Sequence, residues 1–333
     1  MNTSIKKKVS YFIFFGIAAL LLFFAFRGVD YNSMVNGFRK ANYSWVALSL
    51  VAGFFSYVVR SLRWRLLIEP LGFYPSLTNT MGALFFGYVT NLAFPRLGEI
   101  TRCASLRKTD KIPFESLVGT VIIERAFDVL MILLLVISVF FIRIDFFGGF
   151  IWDQIAVPLW SKMISLFKIS PIIVVALVAF LVLLFFLLRK NFLGAKFKRR
   201  IISLFWGVID GLKSVYTMKR RKEFFLYTIL LWFLYWLMTW LLVFATEPTS
   251  QLGLVDGFFL LVIGSLGMAA PVQGGFGAFH IITAMGLGIY GISWEDGLIW
   301  ATISHEAQTI LMLAVSVVFM IIFFLKNRKT SPV

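Results

Sequence analysis

Long apolar runs without charged residues constrain this chain more than any other feature of its sequence. Several of these runs approach or exceed the roughly 18–20 residues that an α-helix needs to cross a bilayer. Over its 333 residues the chain is 60% hydrophobic and only 14% charged, with a mean hydropathy of +0.89. A soluble domain of this length could not bury so much apolar surface. The sequence therefore predicts an all-α polytopic membrane protein.

Six apolar segments are predicted to cross the membrane, at about 9–26, 44–59, 115–142, 170–188, 223–245 and 297–325. Two shorter apolar segments, about 78–112 and 254–291, are interrupted by glycine, proline and polar residues. We predict that each enters the membrane and turns back as a re-entrant helical hairpin. The two hairpins would face in opposite directions, as in an inverted repeat. Residues 1–333 would then form a single integral membrane domain.

The basic residues, which give a net charge of +16, are distributed unevenly. If both termini and the loops 60–76, 95–113 and 189–223 are cytoplasmic, 25 of the 32 Lys and Arg residues lie on that side. Six lie in the opposite loops and Arg125 lies within a helix. This bias predicts a multi-pass protein of the cell (inner) membrane with cytoplasmic N- and C-termini, and no nucleic-acid partner. Apolar residues at helical spacing within about 195–220 predict an amphipathic helix on the cytoplasmic surface.

The first motif with chemical meaning lies at the end of the broken segment that starts near residue 78. Arg96, Glu99 and Arg102 follow each other at intervals of three, so they fall near one face of a helix. Two guanidinium groups with a carboxylate between them can hold a phosphate while the acid orients the arginines. An ordinary basic loop is the alternative. The neighbouring Asn91 and Gly98 favour a binding role.

The second motif, Glu124, Arg125 and Asp128, lies inside a predicted crossing helix. Each ionisable group at the bilayer centre costs at least roughly 2.5–3.5 kcal/mol. Glu124 and Asp128 share a helix face and need a cation, which Arg96, Arg102 or Arg125 could supply. The motif predicts part of an anion-binding site, with a structural salt bridge between helices as the alternative.

The second broken segment contains a turn with Gly274, Gly275 and Gly277. Backbone N–H groups of such a turn, next to a helix N-terminus, attract anions. A tight hairpin turn that needs glycine for packing is the alternative. His280, near this turn, is a candidate proton carrier or phosphate contact or else a packing residue.

A polar cluster interrupts the last apolar helix, where His305, Glu306 and Gln308 lie close together. His305 has the same candidate roles as His280, and Gln308 is a candidate contact for substrate. The sequence offers no evident third ligand beside the two histidines, so we expect no metal and no cofactor.

In this order, the motifs resemble those of the flippase-like transmembrane family typified by the membrane half of lysylphosphatidylglycerol synthase. The matching pieces are Arg-x-x-Arg-Trp at 60–64, Asn-x-x-x-Pro-x-x-Gly-Glu-x-x-Arg at 91–102, Glu-Arg-x-x-Asp at 124–128, the turn Pro-x-x-Gly-Gly-x-Gly from Pro271, and His305 with Gln308. The resemblance implies re-entrant segments, lipid translocation, and headgroup contacts around 96–102 and 124–128. Many members have an acidic residue where this chain has His280. About eight residues follow the last predicted helix, so we expect no lysyl-lipid synthesis.

These observations predict a membrane lipid translocase that binds the anionic or zwitterionic headgroup of a phospholipid or polyprenyl-phosphate lipid. One alternative is a membrane enzyme that acts on a lipid phosphate, of the glycosyltransferase or phosphatase type, and another is a small-solute transporter. The expected partners are membrane lipids, with either a second copy of the chain or an enzyme that supplies the lipid. The predicted substrate-binding residues are Asn91, Arg96, Glu99, Arg102, Glu124, Arg125, Asp128, Gly274, Gly275, Gly277, His280, His305 and Gln308.

Overall fold

The computed structural model describes residues 3–94, 97–142, 215, 218–270 and 272–328, with side chains described from Phe15 to Ile322. The chain divides into two units, residues 1–135 with 214–333, and residues 136–213. All side-chain contacts below belong to the first unit. The described helices are α1 (Thr3–Phe26), α2 (Tyr31–Lys40), α3 (Tyr43–Ile68), α4 (Leu77–Ala93), α5 (Gly98–Asp110), α6 (Phe114–Ile142), α7 (Arg221–Val243), α8 (Leu254–Ala269), α9 (Ala278–Gly288) and α10 (Trp294–Arg328).

Four of these helices, α3, α6, α7 and α10, are long and apolar enough to cross a membrane. The end of α1 and α2 form a further apolar pair, bent by 90°. Large apolar side chains such as Leu133 on α6 and Ile310 on α10 are exposed, as a helix surrounded by lipid requires. The prediction of an all-α polytopic membrane protein is confirmed. The crossing helix predicted at about 170–188 and most of the amphipathic segment at about 195–220 lie outside the described residues.

The same order of long and short helices occurs twice among the described elements. A long helix, a hairpin of two short helices and a second long helix follow each other as α3, α4–α5 and α6, and again as α7, α8–α9 and α10. The hairpin helices have 17, 13, 16 and 11 residues, fewer than the roughly 20 of a typical membrane span. They coincide with the two broken segments of the sequence. Their re-entrant course stays a prediction.

The first hairpin is joined backbone to backbone. Gly98, at the start of α5, lies so close to α4 that a Cβ atom on it would collide with the carbonyl oxygen of Gly87. The Gly98 N–H donates to the Asn91 Oδ1 atom at 2.7 Å. This bond uses one of the free N–H groups of the helix start and fixes α5 against the end of α4.

The tips of the two hairpins touch each other. The Gln273 Nε2 atom donates to the carbonyl oxygen of Ala93 at 3.2 Å, and Leu92 packs against Gly274. Two hairpins that enter a bilayer from opposite faces would meet at their tips.

A shared apolar core holds α3, α4, α5 and α6 together. Trp64 lies at its centre and is fully buried. Its other buried members are Ile68, Ala83, Leu84, Cys103, Leu106, Ile112, Leu117 and Val121. Because this core fixes α3, α5 and α6 against one another, it brings the charged residues of these three helices to one place.

Candidate functional site

Seven charged side chains from three helices meet beside this core, and we call them the charged cluster. Four are arginines and three are carboxylates: Arg60 and Arg63 of α3, Glu99 and Arg102 of α5, and Glu124, Arg125 and Asp128 of α6. With all seven ionised, the cluster has one positive charge in excess. An excess cation inside a membrane protein favours an anionic partner.

Glu124 is the centre of the charged cluster and is fully buried. Its carboxylate accepts hydrogen bonds from Arg60 Nη2 at 2.9 Å, Arg102 Nη1 at 3.0 Å and Arg125 Nη2 at 2.9 Å. Charge-assisted bonds of this kind offset the cost of burying a carboxylate. Glu124 therefore holds three helices together through arginines.

Arg63 is the most deeply buried arginine, with none of its side chain exposed. Its Nη2 atom donates to Asp128 Oδ1 at 2.7 Å and lies 3.6 Å from Glu124. Its Nε and Nη1 atoms have no hydrogen-bond partner among the described residues. Buried guanidinium donors without acceptors are costly, so this part of the cluster favours an additional acceptor such as a phosphate oxygen.

The charged cluster opens towards Glu99 and Arg125, whose side chains are 35% and 41% exposed. Arg125 Nε lies 3.2 Å from Glu99, and Arg102 Nη2 lies 2.7 Å from Glu99. The latter distance suits an ion pair, although the two groups are not aligned for a hydrogen bond. Glu99 is thus held less firmly than Glu124.

Aromatic rings pack against two arginines of the charged cluster. The Arg102 guanidinium lies over the Trp64 ring, 4.6 Å from its centroid, and the Trp64 indole N–H donates to Thr120 at 2.9 Å. Arg60 lies 5.7 Å from the ring centroid of Tyr88. The cavity between α4, α5 and these arginines is only about 10 Å³, enough for one water molecule. A headgroup must therefore displace a side chain to enter.

A second polar group, the histidine group, consists of His280, His305 and Glu306. His305 Nε2 donates to the carbonyl oxygen of Gly274 at 2.8 Å, and His305 Nδ1 lies 3.0 Å from Glu306 Oε1. His280 Nε2 lies 3.7 Å from the same carboxylate oxygen. The group therefore joins α9, α10 and the turn between α8 and α9.

The profile of the lysylphosphatidylglycerol synthase transmembrane region matches residues 11–316. The chain belongs to this family.

Two curated relatives are similar to parts of this family member. Glycosyltransferase AglD of Haloferax volcanii is 29% identical over 105 residues, which are 31% of this chain and 17% of AglD. The UPF0104 membrane protein MJ1595 of Methanocaldococcus jannaschii is 26% identical over 158 residues, 46% of this chain and 45% of that protein. The chain thus spans less than half the length of either relative. No solved structure matches it.

The structure brings together five of the residues singled out in the sequence of this family member and adds two. Glu99, Arg102, Glu124, Arg125 and Asp128 all belong to the charged cluster. Arg96 lies outside the described residues.

The two added arginines, Arg60 and Arg63, are placed by the sequence analysis in a cytoplasmic loop, because the crossing helix is predicted to end at residue 59. In the structure α3 continues to Ile68, and both arginines bind carboxylates of α6. Their spacing of three predicts a shared helix face near Trp64 at the level of the lipid headgroups, but it does not predict their contact with α6. Because neither arginine lies in a loop, these two residues do not support the predicted orientation, which depends on counting basic residues in loops.

Asn91 and Gln308 join helices rather than the charged cluster. Asn91 binds the start of α5, as described above. Gln308 Nε2 donates to Ser49 Oγ at 3.1 Å, and its amide packs against Gly53. Both contacts connect helices, and a role of either residue in binding substrate stays a prediction.

The glycine-rich turn is shaped by packing. Gly274, Gly275 and Gly277 all have positive φ angles, of 55°, 79° and 77°. A Cβ on Gly277 would collide with Leu21 of α1, so glycine is required there by space as well as by conformation. The N–H groups of residues 275 and 276 bond carbonyls within the turn. The turn's contribution to the site is the Gly274 carbonyl, bound to His305.

Proposed function

We propose that this protein binds the phosphate of a membrane lipid headgroup in the charged cluster and moves the lipid between leaflets. The observation that carries the proposal is a buried cluster with more arginines than carboxylates and with unpaired guanidinium donors. A guanidinium matches a phosphate in geometry and can bind two of its oxygens at once. A phosphodiester carries one negative charge, as Glu99 does, so it can take the place of that carboxylate without changing the net charge of the cluster.

Glu99 is the side chain that an incoming phosphate would replace. It is partly exposed, and its two arginine partners are Arg125, which is also exposed, and the buried Arg102. A phosphate taking its place would bind the same two guanidiniums. When Glu99 returns to these arginines, it would displace the phosphate. Binding and release would then be the two directions of one exchange between Glu99 and the phosphate.

A groove whose surface is mostly apolar has the size for a lipid chain. Its volume is about 460 Å³, and it lies between α4, α5 and α10. Its apolar lining includes Gly82, Ala83, Phe86, Phe319, Met320 and Ile322. Since α5 contributes residues to both the groove and the charged cluster, an acyl or polyprenyl chain could lie there while its headgroup binds the arginines. This favours a lipid over a small solute.

The test is lipid transfer in proteoliposomes that contain phosphatidylglycerol with a fluorescent acyl chain. Arg102→Ala should slow transfer about tenfold or more, because a hydrogen bond to a charged group contributes roughly 1.5–3 kcal/mol. Arg125→Gln, at the more exposed position, should slow it in the same direction and keeps the buried core intact. Arg220→Gln, which removes an exposed arginine paired with Glu69, is the control. Transfer by both cluster variants at the control's rate would contradict the proposal.

A lipid-phosphate enzyme is the second candidate, since AglD carries the name of a glycosyltransferase. In this chain, however, Glu124 binds three arginines, which favours a counter-ion over a general base. Incubation of the purified protein with labelled polyprenyl phosphate and a sugar donor, followed by chromatography, separates the two. A glycosylated or dephosphorylated product would favour the enzyme.

A further inference from the structure

The histidine group presents three metal-ligand atoms to one point. One ligand atom from each of His280, His305 and Glu306 lies within 4.8 Å of the other two. The His305 Nδ1 to Glu306 Oε1 distance is 3.0 Å, and the His280 Nε2 to Glu306 Oε1 distance is 3.7 Å. A tetrahedral ion with bonds of about 2.0–2.2 Å separates its ligand atoms by roughly 3.3–3.6 Å. The two distances to Glu306 bracket that value, and the two histidine nitrogens lie within 4.8 Å of each other.

The hydrogen bond of His305 to Gly274 fixes which nitrogen is free. A carbonyl oxygen only accepts, so His305 Nε2 carries the proton that it donates to Gly274. In the neutral ring, Nδ1 then directs a lone pair at the Glu306 carboxylate, which also only accepts. Two such groups at 3.0 Å repel each other unless a metal ion or a proton lies between them. A backbone carbonyl that orients a ligating histidine is also the usual outer contact of a metal site.

The surroundings combine buried nitrogen ligands with an accessible oxygen ligand. His280 and His305 are 1% and 5% exposed, whereas the Glu306 side chain is 36% exposed. The rings of Phe276 and Phe279 lie 4.9 Å and 5.2 Å from His305. An ion could enter past Glu306 and keep an open fourth position, as in sites with two histidines and one glutamate. Two imidazoles and one carboxylate suit first-row transition metals better than Mg²⁺ or Ca²⁺.

We propose that His280, His305 and Glu306 bind one divalent first-row transition-metal ion of the Zn²⁺ class. In the sequence, His305 and Glu306 are neighbours and His280 lies on another helix, so only the fold supplies three ligands. The site is independent of the charged cluster, and it stands whether or not the protein transfers lipid.

The experiment measures zinc bound to the full-length protein in detergent, after removal of any affinity tag. The protein is loaded with Zn²⁺, dialysed and assayed by inductively coupled plasma mass spectrometry. The wild type should retain about one ion per chain, and His305→Ala and Glu306→Gln should each retain about a tenth or less. Glu306 is partly exposed, so Glu306→Gln tests the site even if His305→Ala does not fold. Glu115→Gln, an exposed carboxylate on α6, is the control and should retain the wild-type amount.

Replacement of Zn²⁺ by Co²⁺ gives a second readout. Wild-type protein should show the intense visible bands of four-coordinate Co²⁺, and Glu306→Gln should lose them. A wild type that retains no more zinc than Glu306→Gln overturns the proposal, and a proton shared by His305 and Glu306 would then account for their contact. Neither zinc retention nor the Co²⁺ spectrum depends on lipid transfer. Absence of a metal site would therefore not contradict the proposed lipid transfer.

Discussion

Glu99 and Glu124 bind the same two arginines, Arg102 and Arg125, yet their surroundings give them different roles. Glu124 is fully buried and accepts three hydrogen bonds, so it cannot leave without stranding buried guanidiniums. Glu99 is 35% exposed and is held by ion pairs alone, so water can solvate it when it moves. The buried acid maintains the cluster, and the exposed acid is the one that a ligand can replace.

Glu99→Gln should therefore strengthen lipid binding and slow release. The substitution removes the charge that competes with phosphate for Arg102 and Arg125 and preserves the shape of the side chain. In the proteoliposome assay, both the lipid concentration at half-maximal transfer and the maximal rate should fall. Glu223→Gln, at an exposed ion pair outside the cluster, is the matched control. A rise in the half-maximal concentration would show that Glu99 assists binding instead.

Glu124→Gln should destabilise the fold strongly. Removing one partner of a buried ion pair costs about 3–5 kcal/mol, because the remaining charge is left uncompensated. Here three guanidiniums lose the negative charge that they share, and the Gln amide places an NH2 donor where one carboxylate oxygen accepted. The midpoint of thermal unfolding in detergent should fall clearly below that of Glu99→Gln. Equal midpoints for the two variants would mean that the cluster contributes little to stability.

At the scale of elements, the sequence predicts the long helices and both broken segments, but neither α2, which lies in a stretch that resembles a polar link, nor the end of α3. Hydropathy and the glycine and proline breaks were sufficient for α3, α6, α7, α10 and the two hairpins. The predicted crossing segment ends at about residue 59, whereas α3 continues to Ile68. The prediction is short because Arg60 and Arg63 are interpreted as charges outside the bilayer. Their cost is offset by carboxylates of α6, and that contact depends on packing between helices. The contact between His280 and Glu306 also depends on packing between helices, because the two residues lie on α9 and α10, so the sequence does not predict it.

Gly98→Ala should separate α5 from α4. Its added methyl group would collide with the Gly87 carbonyl, a backbone atom that cannot turn aside, and overpacking of this kind costs about 1–3 kcal/mol. Gly119→Ala on α6 is the control, because a Cβ there meets nothing within 4 Å. Thermal unfolding should show a lower midpoint for Gly98→Ala only. Equal stability of both variants would exclude a close contact between α4 and α5.

At the scale of the molecule, the contact between hairpin tips connects the charged cluster to the histidine group. Ala93 and Gln273 join the tips, Asn91 holds the start of α5, and Gly274 binds His305. Both polar groups therefore lie next to the same junction. If the two hairpins separate during transfer, the hydrogen bond between Gln273 and Ala93 must break.

A reversible cross-link across the tips should therefore stop lipid transfer. In a Cys103→Ala background, Ala93→Cys with Gln273→Cys should react with a short bis-methanethiosulfonate, since the Gln273 side chain reaches the Ala93 carbonyl. Transfer should fall on cross-linking and return when a reductant is added. The control pair, Thr78→Cys with Gln273→Cys, should not cross-link, because residue 78 lies about 22 Å from residue 93 along α4. Full transfer by the cross-linked protein would show that the tips stay together throughout the cycle.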